Sequence, residues 1–256
     1  YLIGLPPLTY GAGPTLFTNP LLSFFMRNLG AYRVDRRKKA VLYKDVLKEY
    51  ATCSLEMGYN NLFFPGGTRS RSGAIETRLK KGLLGTGVKA YVGNLRAGRA
   101  RPALYLVPCT LTYKLVLEGA TLIDDHLSEV GKARYIIEDD ESSRPRQVLL
   151  FMSKLLSLDT RITVTFSRPL DIFGNPVDAE GRSLDARGRW IDAARYVMRG
   201  GEPVHDEQRD AQYTREAADE VARAFLRDNV VLSTHLVGYA LFNLLNRENP
   251  ELDLYR

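Results

Sequence analysis

Between Leu62 and Gly73 the sequence reads Leu-Phe-Phe-Pro-Gly-Gly-Thr-Arg-Ser-Arg-Ser-Gly. These residue types suit a bound oxyanion. Pro65 breaks an apolar run, and Gly66 and Gly67 let the backbone turn tightly and bring its N–H groups close to a ligand. Thr68 and Ser70 add hydroxyls. Arg69 and Arg71 add guanidinium forks, which match the oxygens of a tetrahedral phosphate. Arg78, Lys80 and Lys81 follow, with Glu76 the only acid between Arg69 and Lys81. The chemistry on offer is phosphate binding.

A loop of this kind needs a scaffold on both sides. Leu62 to Phe64 reads as the strand that feeds it. Upstream, Leu29 to Val34 reads as a short strand running into Asp35-Arg36-Arg37-Lys38-Lys39, a cationic run of the sort that commonly forms a solvated face. From Ala40, apolar residues recur at helical steps (Leu42, Val46, Tyr50, Cys53, Met57), which predicts an amphipathic helix ended by Gly58. Strand, helix, strand predicts a βαβ unit with both strands parallel. Downstream, Leu79 to Ala90 is expected to be partly helical. Ala103 to Val107 reads as a buried strand stopped by Pro108, with Cys109 to Tyr113 extended. Glu138 to Glu141 reads as a solvated acidic loop, followed by a helix from Ser143 to about Ser157. Ile162 to Phe166 alternates as a strand.

The remainder is expected to be a surface loop over residues 171–190, a helix over 213–227 with Ala217, Val221, Ala224 and Phe225 on one face, and an apolar helix over 230–245. No internal repeat is predicted. The fold class is α/β: a mainly parallel sheet flanked by helices, with a helical C-terminal part. Residues 1–170 form the expected α/β core and 171–256 the loop and C-terminal helices.

Composition narrows the partners without choosing among them. The chain has 256 residues and a net charge of +6, which favours an anionic partner such as a phosphorylated metabolite or an acidic lipid surface. Aromatic residues do not interleave with the cations near Arg69, so single-stranded nucleic acid is disfavoured. Cys53 and Cys109 fit no metal or redox spacing, and no metal site is predicted. The nucleophile motif G-x-S-x-G of serine hydrolases is missing. His126, His205 and His235 each stand alone in sequence. The segment from Tyr1 to Met26 has no charge but is broken by Pro6, Pro7, Pro14 and Pro20, so it falls short of the roughly 20 unbroken apolar residues of a membrane span. It reads as buried core with turns, or as an apolar contact surface. The helix at 230–245 carries the same two readings, core helix or shallow membrane docking. The chain opens at Tyr1 inside this apolar segment, which predicts a fragment of a longer protein.

Phe64-Pro65-Gly66-Gly67-Thr68-Arg69-Ser70 closely resembles the F-P-E-G-T-R-S block of the glycerolipid acyltransferases, the superfamily of glycerol-3-phosphate, dihydroxyacetone-phosphate and lysophosphatidate acyltransferases. Three other segments agree in order. Gly30 to Arg36 resembles the block that ends in a substrate-binding arginine. Lys80-Lys81-Gly82-Leu83-Leu84 resembles the K-x-G-L segment. Leu106-Val107-Pro108-Cys109 resembles the valine–proline strand end. The S-R-S-G run and the long C-terminal part are closer to the glycerol-3-phosphate and dihydroxyacetone-phosphate branches. Two departures stand out. The family's H-x-x-x-x-D catalytic block has no counterpart at the right place, and its spacing puts it immediately before Tyr1; His205 to Asp210 fits the pattern only by chance. Gly66 replaces the family's glutamate.

The resemblance implies a glycerol-3-phosphate acyltransferase-like domain over 1–256. Its expected reaction moves a fatty acyl group from acyl-CoA or acyl carrier protein to the sn-1 hydroxyl of glycerol 3-phosphate, giving lysophosphatidate. Arg36, Gly67, Thr68 and Arg69 are implied as the phosphate clamp. Arg71, Lys80 and Lys81 are a second tier that meets the same phosphate or those of coenzyme A. Val107 and Pro108 either shape the acyl-donor pocket or end a buried strand. No catalytic residue is expected in this chain and no cofactor beyond the acyl donor. The implied location is an anionic membrane surface, on its cytoplasmic face. The alternatives are a catalytically silent anion- or membrane-binding module, or within the family a dihydroxyacetone-phosphate or lysophosphatidate acyltransferase.

Overall fold

The computed structural model describes residues 8–35, 37–66, 75–114 and 162–248. The predicted acidic loop at 138–141 and the helix at 143–157 lie outside them. The described chain divides into two units. One holds residues 8–35, 37–66, 76–108 and 168–224; the other holds residues 75, 109–114, 162–167 and 225–248.

The first unit is built on a three-stranded parallel sheet of order β2-β1-β3. β1 is Thr9–Ala12, β2 is Ala31–Arg33 and β3 is Asn61–Leu62. The register pairs Tyr10 with Ala31 and Ala12 with Arg33 on one side, and Tyr10 with Leu62 on the other. The predicted βαβ unit is present, with α2 (Val41–Glu56) between β2 and β3. Its two strands do not touch, however. The central strand between them comes from the Pro- and Gly-rich first segment. That segment turns back through α1 (Pro20–Asn28), where Pro20 takes the first helical position and the Asn19 carboxamide oxygen accepts from the backbone N–H groups of Leu21 and Leu22. Gly30 then permits the tight entry to β2. Its φ is 86°, and a Cβ there would collide with the Leu8 carbonyl. Leu21, Phe24 and Phe25 on α1 are exposed, so the segment is only in part the buried core expected of it.

α2 corrects a second expectation. Its predicted apolar stripe faces outward, with Leu42 76% and Met57 71% exposed. The buried residues are Ala51, Thr52 and Ser54, and the helix packs against α3 (Lys81–Arg96). Small side chains let two helices approach closely. Thr52 and Ser54 donate their hydroxyls to the Lys48 and Tyr50 carbonyls, so their burial leaves no orphaned polar group. Gly93 of α3 makes room for the Glu56 side chain, and Lys89 bonds the Glu49 carboxylate.

The core of this unit joins Val88, Tyr91 and Val92 of α3 to Ile172, Phe173 and Val197. Ile172 and Phe173 belong to the stretch expected to be a surface loop without repeats. It is instead a seven-residue repeat, Asp-x-x-Gly-Asn/Arg, running through Asp171, Asp178 and Asp185. In each turn the glycine N–H donates to the aspartate carbonyl, and the glycine has positive φ (93°, 80° and 75°). One carboxylate oxygen accepts two backbone N–H groups, two and four residues on, and the other accepts the side chain of Asn175, Arg182 or Arg189. Only the first turn carries large apolar residues, so only it is buried. α4 (Glu207–Asp228) lies against it, where a Cβ on Gly174 would meet the Ala217 Cα at 3.1 Å. As expected, α4 buries Ala217, Val221, Ala224 and Phe225.

Outside the three-stranded sheet the described strand pairs are antiparallel, which corrects the expected mainly parallel sheet. β4 (Tyr105–Leu106) pairs with β7 (Leu170–Asp171), and β8 (Met198–Arg199) with β9 (Glu202–Pro203). β8 and β9 are joined through Gly200 and Gly201, a turn too short for a parallel crossover. In the second unit β5 (Cys109–Tyr113) pairs with β6 (Ile162–Phe166), from Cys109 opposite Phe166 to Tyr113 opposite Ile162. α5 (Ser233–Glu248) follows, with Leu236, Val237, Tyr239 and Leu241 exposed; among its described residues it is not a core helix.

Candidate phosphate-binding site

Parallel pairing puts the carboxyl ends of β2 and β3 at the same edge of the sheet. In open α/β sheets that edge is where the connecting loops gather around ligands. Arg36 follows the end of β2 closely in sequence, and the Gly67–Arg71 stretch follows β3. Arg36, Gly67, Thr68, Arg69 and Arg71 themselves lie outside the described residues. Their described neighbours form the frame.

Past β2, the Tyr43 hydroxyl accepts from the Asp35 backbone N–H at 2.8 Å. The Arg37 guanidinium and backbone N–H bond the Asp35 carboxylate at 3.1 Å, and that pairing holds the carboxyl below its ordinary range. Lys38 stands over the Tyr43 ring, 5.3 Å from its centre. Arg33, Asp35, Lys38 and Tyr43 line an open pocket of about 280 Å³. Arg37, Lys38 and Lys39 are exposed, as expected of a solvated face, and Asp35 offsets part of the charge of Arg37. A second pocket of about 320 Å³, lined by Thr9, Tyr50, Cys53, Ser54, Met57 and Tyr59, adjoins the amino ends of β1 and β3 instead.

Past β3, the Lys80 N–H donates to the Pro65 carbonyl at 2.8 Å and ties the two ends of the loop together. Leu79 is buried beside it and anchors that end. Lys80 and Lys81 are exposed at the amino end of α3, which has no side-chain cap. Two cations there oppose the helix dipole, and a bound anion relieves that opposition. Glu76 is the residue that reading the sequence left without a role. It is partly buried, and its carboxylate fills the space where a side chain at position 66 would begin. Its position as the sole acid in a basic stretch was the available signal.

Val107 is 51% exposed, whereas Pro108 is buried at the end of β4. β4 pairs with β7 and is not part of the three-stranded sheet.

The histidine–aspartate match at 205–210 has a structural explanation. Asp206 caps α4 by accepting from the Arg209 N–H, and the Asp210 carboxylate accepts from the Asp206 N–H. Arg209 also pairs with Asp210 at 2.7 Å, and His205 meets the same carboxylate at 3.3 Å. His235 accepts from the Leu232 N–H and faces the Tyr113 carbonyl. Among the described residues no group of His, Cys, Asp and Glu could hold a metal ion, and no helix is long and apolar enough to cross a membrane.

The acyltransferase family matches residues 3–112, the span that contains the sheet, both basic loops and α3. That stretch of the chain is similar to the family. A glycerol-3-phosphate acyltransferase of Xylella fastidiosa (strain M23) is 31% identical over 135 residues, covering 52% of this chain and 15% of the relative. The glycerol-3-phosphate acyltransferase of Pseudomonas aeruginosa (strain LESB58) is 30% identical over 136 residues, covering 53% of this chain and 16% of that protein. The chain thus spans a small part of the curated relatives it matches. No solved structure matches it.

Proposed function

We propose that the protein to which this chain belongs transfers a fatty acyl group from acyl-CoA or acyl carrier protein to the sn-1 hydroxyl of glycerol 3-phosphate, yielding lysophosphatidate, and that this chain supplies the phosphate clamp. The observation that carries the reading is the parallel order β2-β1-β3. It sends the chain that follows Arg33 and the chain that follows Leu62 off one edge of one sheet, about 10 Å apart at two strand spacings. That span is within reach of two arginine side chains closing on one phosphate.

In the reaction the acceptor hydroxyl attacks the thioester carbonyl. The new C–O bond forms, the C–S bond breaks, and the hydroxyl proton passes through a base to the leaving thiolate. The base is assigned to residues outside this chain. Here the contribution is orientation: Arg36, Arg69, Thr68 and the Gly67 backbone hold the phosphate far from the reacting carbon, and remote binding of that kind fixes the attacking hydroxyl. Arg71, Lys80 and Lys81 meet that phosphate or those of coenzyme A, and Val107 and Pro108 border the acyl donor. No cofactor is required. The exposed apolar residues of α1 and of α5, each within its own unit, support docking on an anionic membrane surface, with the cytoplasmic face as the proposed side.

The test is Arg69→Ala in the full-length protein, assayed in parallel with glycerol 3-phosphate, dihydroxyacetone phosphate and lysophosphatidate. Loss of one charge-assisted contact costs about 1.5–3 kcal/mol, a rise of roughly ten- to hundred-fold in acceptor KM with glycerol 3-phosphate. An unchanged KM overturns the clamp. Salt-sensitive liposome binding with no acyl transfer to any acceptor establishes the silent module instead.

A further inference from the structure

We propose that the outward apolar stripe of α2 is a contact surface between two copies of this chain, packed antiparallel, with Leu42 of each copy entering the pocket at the amino end of the other's sheet. The proposal goes beyond the acyl-transfer reading and does not depend on it.

Val46, Tyr50, Cys53 and Met57 follow one another along α2 at steps of four, three and four residues. That is the spacing of a seam along which one helix packs on another. All four are exposed, whereas Ala51, Thr52 and Ser54 on the other side of the helix are buried. An apolar seam left in water is unfavourable, and covering it drives association.

The seam fits a second copy of itself. Its spacing reads the same from either end. Turned about a two-fold axis, Val46 of one copy faces Met57 of the other, and Tyr50 faces Cys53, a large side chain against a small one. An isologous contact requires self-complementarity of this kind. The charges beside the seam are already paired within the chain, Asp45 with Lys48 and Glu49 with Lys89, so two copies meet there without stranding these charges. Together with Leu42 and Tyr59, both exposed, the seam lets two copies bury on the order of 1,200 Å², the lower end of the range for stable specific interfaces.

In that register Leu42 of one copy lies beyond Met57 of the other. There the pocket of about 320 Å³ opens, lined by Thr9, Tyr50, Cys53, Ser54, Met57 and Tyr59. The Thr9 and Ser54 hydroxyls already donate to the Asn60 and Tyr50 carbonyls. What the pocket chiefly offers is thioether, thiol and ring surface, which suits an aliphatic side chain. Leu42 is the most exposed apolar residue of α2. The contact sits at the amino edge of the sheet and leaves the carboxyl edge open.

The experiment is disulfide trapping in the full-length protein carrying Cys53→Ser, with Val46→Cys and Met57→Cys introduced together. Positions 46 and 57 are about 16 Å apart along the helix, too far to bond within one chain, so a disulfide-linked dimer reports a second copy. The double variant is expected to trap as a dimer under mild oxidation, and neither single variant is. Sedimentation of the protein without added cysteines is the second measurement. The unaltered protein is expected to run as a dimer. Leu42→Asp is expected to raise its dissociation constant about a hundredfold, because each dimer loses two buried anchors of about tenfold each, with an unchanged circular-dichroism spectrum. A monomer at every concentration overturns the proposal, as does trapping by a single variant as efficient as by the double. If the protein is monomeric and Leu42→Asp abolishes liposome binding, the stripe meets a bilayer and the proposal is again overturned.

Discussion

Asp171→Ala tests the seven-residue turns that carry the core of the first unit. The Asp171 side chain is 4% exposed. It accepts from the Phe173 and Asn175 backbone N–H groups and from the Asn175 carboxamide, each at 2.9 Å. Removing it strands a buried donor at Phe173 and a partly buried one at Asn175. A stranded buried donor costs about 1–3 kcal/mol, and the more accessible one less, so the expected loss is about 2–4 kcal/mol. Against a typical domain stability of about 5–15 kcal/mol this is a large share. The structure supplies an internal control. Asp185 accepts the same three kinds of bond at 2.8–2.9 Å, but in a turn that buries no large side chain. Water can replace the lost oxygen there, so Asp185→Ala is expected to cost clearly less.

Urea unfolding followed by the fluorescence of Trp190 separates the two. Trp190 is the sole tryptophan in the sequence and bridges Leu184 in the third turn. Equal midpoint shifts for the two variants, or a larger one for Asp185→Ala, would refute the argument that burial makes the first turn the anchor. The consequence reaches the candidate site, because Ile172 and Phe173 pack with the residues of α3 that follow Lys80 and Lys81.

Two further outcomes follow from the same geometry. Gly30→Ala forces a left-handed residue against the Leu8 carbonyl and is expected to cost more than about 1 kcal/mol, read as a lowered Tm; an unchanged Tm contradicts the close approach. Burial pushes the Tyr91 hydroxyl from 10.0 up to about 12, with Asp192 and Asp171 adding to it. The unfolded chain releases that proton first, so stability is intact below about pH 10 and declines towards about pH 12. Thermal unfolding across that range should fall less steeply for Tyr91→Phe than for the unaltered protein, and parallel curves would exclude the assignment.

Much of the frame was legible locally. The helix starting at Pro20, the strand at 162–166, the strand–helix–strand order and the apolar face of α4 depend on capping residues and periodicity, signals that act within a few residues. The phosphate chemistry proposed for the 65–71 stretch rests on residue type. What could not be read was which faces meet. The stripe of α2 has helical spacing and is nevertheless exposed, because periodicity says that one face is apolar and not that a partner covers it. The repeat at 171–189 was hidden because aspartate, glycine and arginine form the usual composition of a solvated loop. Only the side-chain bonds show it as a repeated turn.

By itself the sequence determined an α/β chain with a loop rich in glycine, hydroxyl and arginine residues after one strand and a basic run after another. The tertiary structure decided that β1 lies between those strands, and that Glu76 occupies the place Gly66 leaves empty. Both facts join residues far apart in the chain. Such contacts are set by strand pairing and by competition for volume, which no local pattern encodes.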